Sequence, residues 1–565
     1  MASATVSAPA SSDRDLASAQ EARTLAQRAK AAAPKLAELT QDQIDRIVDA
    51  VAAAARPRAA EFAKLAVEET GFGVVADKIQ KNNFATTQIY EFIRPMKTVG
   101  VVGRNEAKRI IEIAEPFGVV AAVVPSTNPT STAIYKILIS LKARCPVVLS
   151  PHPAAARCIT HVAQVMAEAA AGAGAPDGAV TWMNTVTLVG TQALMQHRDV
   201  AVILATGGMG LVRAAYSAGK PAYGVGPGNA PCFIERTADL AKAASDIVIG
   251  KTFDNGVLCS SPNSVVVESA VADEVKRAFV RQGAYFLSPA EADALAKVLV
   301  TPQRLPNPKL VGRSAVFVAQ QAGVTVPPET RVLIAELAGV GRDYPLSIEK
   351  LCPVLSYYVV ADWRAGCERC MQILRYGGMG HTMSIHSQNE PVILEFGLKK
   401  PAFRIVVNTP TTHGAIGLTT GLDPAMTLGC GGYGGNITSD NISPRHLLNI
   451  KRVAYELRPA TTHSAGLPRA AERPALPQPP ARPGPVGVEA AAVSRSIDAL
   501  LPARDTVPPP PPATPAVAEF VCEDDVRQAL KLGRQIVIND KTIVTPLARD
   551  AGAAARVFVQ AGLAG

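Results

Sequence analysis

Aromatic residues make up only 5% of the 565-residue chain, and no apolar run approaches the length needed to span a bilayer. The polar start from Met1 to Arg23 also lacks the apolar core of a secretory signal, so the expected location is the cytoplasm and no membrane partner is expected. No Lys/Arg run with interleaved aromatics occurs, and the net charge of +9 therefore does not point to nucleic acid. A mildly basic surface would suit any anionic ligand. Nine cysteines, an odd number in a long chain of this kind, argue against a disulfide framework. Cys367-Glu368-Arg369-Cys370 has metal or redox spacing, but no second pair or flanking histidine completes a zinc site. These two read as unrelated helix cysteines, Cys145, Cys158, Cys232 and Cys352 read as core, and no metal is expected. The GxGxxG dinucleotide fingerprint is missing as well.

What is present is 48% hydrophobic residues, rich in alanine, in a chain long enough for two or three cored domains. After a leader, residues 1–14, expected to be disordered, helical spacing runs from Asp15 to Phe92, with Ile44, Ile47, Val48 and Val51 on one stripe. Val99 to Val102 and Arg109 to Ile113 read as a hairpin turning at Gly103-Arg104-Asn105-Glu106. An alternating pattern follows: strand 119–124, helix 131–142, strand 146–149, helix 154–171, strand 180–182, strand 200–204, and a helix near 212–218. That alternation means a parallel sheet, with its ligand site beyond the strands' carboxyl ends. Three loops sit there: Pro125 to Thr130, including Thr127 and Asn128; Ser150-Pro151-His152-Pro153; and Thr206-Gly207-Gly208. The glycines of the last let backbone amides approach a phosphate.

Cys259 stands in Asp254-Asn255-Gly256-Val257-Leu258-Cys259-Ser260, just before the β-branched run Val265-Val266-Val267. The Asp-Asn-Gly turn signal puts its thiol on a loop, where a nucleophile can be offered to a cleft with backbone N–H groups nearby. This stretch, with Tyr223-Gly224-Val225-Gly226-Pro227, Glu349-Lys350-Leu351-Cys352-Pro353, Gly377 to Thr382 and Val407 to Pro410, resembles the CoA-acylating branch of the aldehyde dehydrogenase superfamily, over about Asp15 to Arg458. The resemblance implies an α/β, aldehyde-dehydrogenase-like fold: a Rossmann-type cofactor domain, an α/β catalytic domain and an oligomerisation hairpin. The implied boundaries are 15–230 for cofactor binding (hairpin about 98–114), 231–430 for catalysis and 431–458 for a returning segment.

In that superfamily a Cys thiolate adds to an aldehyde, hydride leaves to NAD, and a thioester remains. The resemblance makes Cys259 the nucleophile and Asn128 the oxyanion donor. It places Thr127, Ser150, Pro151, His152, Thr206, Gly207, Gly208, Gly224, Val225, Gly226 and Glu349 about the cofactor, with Glu349 on the nicotinamide ribose. Hydrolytic members carry a water-activating Glu where this chain has Val225, so the implied acceptor is coenzyme A and the product an acyl-CoA. Other readings stay open: Asn128 as a helix cap, Glu349 as a surface ion pair, and His152 as a solvated loop residue. His381 either tunes the thiolate or packs structurally, and Cys430, in a Gly-rich loop, lies near the cleft only by resemblance. The expected substrate is propionaldehyde or acetaldehyde and the assembly a homo-oligomer. A hydrolytic enzyme and a non-catalytic shell-binding scaffold are the alternatives.

Residues 459–518 are rich in proline and alanine and read as linker. Within them 488–501 carries Val493, Ile497, Leu500 and Leu501 on one helical stripe, which wants a partner. It resembles the peptides that dock enzymes on bacterial microcompartment shell proteins, which implies the compartment lumen as the final location. Residues 519–565 read as a small module with a helix at 523–532 and strands at 535–538 and 542–544. Deleting 488–501 should leave aldehyde turnover intact while abolishing co-localisation with shell proteins in fluorescence microscopy; unchanged co-localisation rejects the docking role.

Overall fold

A computed structural model describes residues 11–458 and 460 and, near the C-terminus, 518, 520–540, 542–545, 548–549, 551–552 and 555–560. The expected helix at 488–501 lies outside the described residues, as does nearly all of the linker. The chain forms two units, 1–482 and 483–565. Among the described residues no helix is long and apolar enough to cross a membrane.

The first unit opens on the helix Ser11–Ala37. Residues 11–14, expected to be disordered, are helical: Asp13 in the first turn favours a helix start there, and Ala22, Ala26 and Ala29 bury against the sheet below. The continuous helical pattern is broken at Thr40, whose Oγ1 accepts from Gln43 N while Gln43 Oε1 accepts from Thr40 N. The next helix, Gln41–Ala55, buries Ile44, Ile47, Val48 and Val51, the stripe expected.

Two antiparallel strands follow, β1 (Gly100–Asn105) and β2 (Ile110–Pro116), joined later in the chain by β15 (Leu448–Ala454) on the free edge of β2. The hairpin turns at Glu106 to Arg109, not at Gly103 to Glu106. A register shift between Val101 and Gly103 absorbs an extra residue, and Asn105 Oδ1 closes the turn by accepting from Lys108 N.

The first parallel sheet holds β3 (Val119–Val124), β4 (Val147–Pro151), β5 (Val180–Trp182), β6 (Val200–Thr206) and β7 (Ala222–Val225), in the order β5-β4-β3-β6-β7. All six β3 residues are buried, alternating between the cores on the two faces, which is why the segment reads as one apolar run. The chain winds outward from β3 to β5 and then from β6 to β7 on the other side. That reversal opens a crevice at the carboxyl ends of β3 and β6. The helix beyond β6 is Met209–Tyr216, and two elements were not read from sequence: β7 and the helix Leu188–Gln196.

Four residues, Gly226 to Asn229, carry the chain from β7 into a second sheet. It holds β8 (Ala230–Ile234), β9 (Pro262–Glu268), β10 (Ala284–Phe286), β11 (Val332–Glu336), β12 (Val354–Val360), β13 (Gly380–His386) and β14 (Ala402–Val407). Its order is β10-β11-β12-β9-β8-β13-β14, parallel throughout. The second unit has a helix at Glu523–Lys531 and pairs Phe520–Val521 with Ile543–Val544 and Ile536–Ile538 with Phe558–Gln560. The last of these strands was not expected.

Lys136, on the fully buried helix Pro129–Lys142, donates to the carbonyls of Val123 (2.6 Å) and Leu204 (2.9 Å), clamping β3 to β6 where the winding reverses. Burial lowers its pKa from 10.5 to about 7. The unfolded chain therefore binds more protons between those values, so the lysine costs stability in full below pH 7, and the cost fades as pH rises towards 10.5. Compared with Lys136→Met in urea unfolding, the wild type should gain on the variant from pH 7 to 9, by up to about 1.4 kcal/mol per pH unit. A gap independent of pH would show that this ammonium is not desolvated.

Candidate active site

A cavity of about 430 Å³ lies at the carboxyl ends of β3, β4, β6 and β7. Of the residues expected at the site, Thr127, Asn128, Pro151, His152, Thr206, Gly207, Gly208, Val225, Gly226, Cys259 and Glu349 line it. Four do not. The Ser150 hydroxyl is buried on Thr191 Oγ1 (2.8 Å), and it is Thr191 that reaches the cavity. Gly224 exchanges hydrogen bonds with the Tyr216 hydroxyl, donating at 3.1 Å and accepting at 3.2 Å, and so packs the helix Met209–Tyr216 onto β7. His381 and Cys430 are buried outside the lining.

Cys259 follows a tight turn, Phe253–Gly256, and precedes β9. Asp254, Asn255 and Gly256 all take left-handed φ values of 51°, 53° and 74°, which Asp, Asn and Gly tolerate best. The sequence signal for a loop has that origin. Cys259 is partly exposed, whereas the seven other cysteines of the first unit are buried. Desolvation raises its thiol to about 12; the Glu349 charge and then Cys430 add to the rise, and Arg404 opposes it. The thiol is thus held protonated in this structure.

Glu349 accepts from Gly228 N (2.9 Å) in the loop joining the two sheets and makes no ion pair among the described residues, which does not fit a surface salt bridge. Burial raises it to about 8, opposed by the Gly228 N–H and by Lys251 and Lys350. Among the described residues it is the sole acidic side chain lining the cavity. A side chain at Gly228 would collide with the Cys259 carbonyl oxygen, so this crossing requires glycine. His381 Nδ1 pairs with Thr382 Oγ1 (2.9 Å), and burial lowers it to about 3, so it is a neutral imidazole. Cys430 is likewise raised by burial, to about 11. His152 Nδ1 accepts from Ala154 N and caps the turn Pro153–Ala155 at the cavity edge.

Asn128 occupies the N-cap position of the helix Pro129–Lys142, yet its side chain makes no capping bond. Its Oδ1 accepts from Lys81 Nζ (2.6 Å), and its Nδ2 donates to Thr127 Oγ1 (3.2 Å). Lys81 and Lys78, both on the helix Val75–Phe84, pair with the buried carboxylate of Asp254. Sequence reading missed this cluster. Asp254 lies 173 residues from Lys81, and nothing local marks either lysine as buried. Elsewhere Cys367 is engaged by the Lys400 ammonium on a helix it shares with Cys370.

For a dinucleotide, the cradle is Gly207 and Gly208 at the N-terminus of Met209–Tyr216, beside a buried Thr206 Oγ1 that has no partner among the described residues. Backbone N–H groups and an unsatisfied hydroxyl at a helix start suit a pyrophosphate.

A family model, "Aldehyde dehydrogenase family", matches residues 9–287. Succinate-semialdehyde dehydrogenase (acetylating) of Clostridium kluyveri is 36% identical over 433 residues, 77% of this chain and 95% of that protein. The chain belongs to the aldehyde dehydrogenase family. The bifunctional aldehyde-alcohol dehydrogenase of Escherichia coli is 43% identical over 439 residues, but the match covers 49% of it; the chain spans about half the length of the bifunctional relatives it matches. Among solved structures, an acetylating aldehyde dehydrogenase from Geobacillus thermoglucosidasius aligns with TM-score 0.78 and 47% identity over 80% of this chain and 99% of its own. A propionaldehyde dehydrogenase from the fucose utilisation microcompartment of Clostridium phytofermentans aligns at 0.69 and 29%, over 76% and 96%.

If the thiol is held protonated, alkylation of Cys259 by iodoacetamide should rise about tenfold per pH unit from pH 7 towards 8 and less steeply above it, as Glu349 ionises, because only the thiolate reacts. Glu349→Gln should accelerate it at pH 9 by removing the opposing charge. Peptide mapping reads both; a plateau across this range would mean that the thiolate is already formed.

Proposed function

We propose that this chain is a CoA-acylating aldehyde dehydrogenase that converts a short aldehyde, coenzyme A and NAD to acyl-CoA, NADH and a proton. The observation that carries the reading is the cavity itself, which Cys259, Asn128 and Val225 line together. The Cys259 thiol gives up its proton to solvent, which accounts for the proton released overall, and its sulfur attacks the aldehyde carbon. The Asn128 amide and nearby backbone N–H groups take the oxygen as it becomes anionic. A nicotinamide held in the cradle would supply the hydride acceptor, and loss of hydride from this carbon would leave Cys259 holding an acyl thioester. Gly207, Gly208 and Thr206 would hold the pyrophosphate, and Glu349 the ribose.

The fate of the thioester follows from Val225. An apolar side chain there cannot activate water, and Glu349, the acidic side chain on the cavity, would be taken up by the ribose; without general-base help hydrolysis is handicapped by roughly 10²–10⁴. A thiol acceptor needs less help, because part of it is already thiolate near neutral pH. CoA sulfur therefore displaces Cys259, which leaves as thiolate. Propionaldehyde or acetaldehyde is the substrate class. The neighbouring microcompartment enzyme supports a compartment lumen as the working location, with shell proteins met through 488–501. The edge strand β15 suits joining copies of the chain into an oligomer.

With NADH absorbance and chromatography of products, turnover of propionaldehyde should yield propionyl-CoA and collapse when CoA is withheld. Free acid formed equally fast with or without CoA would make the enzyme hydrolytic. Cys259→Ala should lose at least about 10³-fold in kcat; retained turnover would sink the thioester route.

A further inference from the structure

We propose that Lys81 is a positioning residue for acyl transfer: it fixes which end of the Asn128 amide faces the thioester carbon and ties that amide to the loop of Cys259. The inference rests on the thioester reading above and adds a residue to it.

The argument starts from hydrogen-bond chemistry. A lysine ammonium has three donors and no acceptor, so whichever Asn128 atom it touches must be the oxygen. Lys81 Nζ lies 2.6 Å from Asn128 Oδ1. The amide nitrogen is thereby turned the other way, towards Thr127 Oγ1. That bond uses one of its two N–H groups, and the second is left for an oxyanion. Without the lysine, the two flips of the amide differ little in energy, and one of them would aim a carbonyl oxygen at the developing negative charge.

The same ammonium also pairs with Asp254, five residues before the nucleophile. Asp254 is fully buried, and its other oxygen accepts from Val74 N (2.7 Å). Lys81 therefore joins the two halves of the reaction centre: the donor at the end of β3 and the thiol before β9. Lys78 shares the carboxylate but reaches the Thr127 carbonyl (3.1 Å), not Asn128, so it lacks the orienting bond.

The test is a double-mutant cycle in the CoA-dependent assay. Asn128→Ala should lower kcat about 10²–10³-fold, the usual loss for one oxyanion donor. Lys81→Met should lower kcat towards that level with KM for aldehyde little changed, and Asn128→Ala/Lys81→Met should be no worse than Asn128→Ala alone. Lys81→Gln, whose amide can donate to Oδ1 but can also flip to accept from Nδ2, should recover only part of kcat. Losses that multiply in the double variant, or a Met variant that raises KM for aldehyde and leaves kcat unchanged, would overturn the proposal and reduce Lys81 to a structural ion pair. An Asn128→Ala variant with full turnover would instead fault the oxyanion assignment. If the Met variant does not accumulate folded, Lys81→Gln is run through the same cycle, and any loss it shows must vanish in the Asn128→Ala background.

Discussion

Asp254 enters the folded molecule as a buried anion between two buried ammonium groups, and its carboxylate is what allows both to be buried. Removing Asp254 would leave two buried ammonium groups without their carboxylate, at a cost of about 3–5 kcal/mol. That penalty restrains the turn Phe253–Gly256, whose left-handed residues would otherwise relax. Cys259 follows directly, so an electrostatic constraint at one residue becomes a geometric one at the sulfur. The two lysines come from a helix of the N-terminal layer, and the site is therefore held from outside both sheets.

The second constraint is the crossing from β7 to β8. Four residues leave one sheet and enter the other, and Gly228 passes so close to the Cys259 carbonyl that no side chain fits. Its N–H binds Glu349, which places a carboxyl group beside the thiol. The two ionisations oppose each other. The thiol value near 12 includes repulsion from an ionised Glu349, whose own value is about 8. Below pH 8 the carboxyl is mostly neutral, and the thiolate is then less costly than that figure implies. The same group that suppresses the nucleophile at high pH relaxes its hold near neutrality.

Local signals made much of this legible in the chain. Buried β3 reads directly because both faces are covered, and the loop of Cys259 reads because Asp, Asn and Gly are the residues that adopt left-handed φ. Eleven site positions expected from the resemblance meet around one cavity. What failed was non-local or depended on one extra residue. The bulge after Val101 moved the hairpin turn, and Ser150 pointed to Thr191 rather than the cavity. β7, four residues interrupted by glycine, has no strand pattern to find. Lys81 has no signature at all, since its partners lie 47 and 173 residues away.

The net charge offers a last lesson in the same physics. A formal excess of +9 reads as a basic surface, yet among the described residues nine Lys or Arg side chains are buried against four Asp or Glu. More than half of the excess is therefore internal. Several of these donors are satisfied by backbone oxygens: Lys136 by Val123 and Leu204, Arg144 by Ala37 and Ala114, and Lys350 by Asn263 and Ile348. Carbonyls at strand ends and loops carry partial negative charge and spare lone pairs, so a desolvated donor finds partners there without a carboxylate. The buried lysines act as clamps across segments that hydrophobic contact alone would leave free to slide. Lys81 holds the oxygen of Asn128 as Lys251 holds that of Asn263, but Asn128 lines the cavity, and orienting that amide converts a packing device into a chemical one.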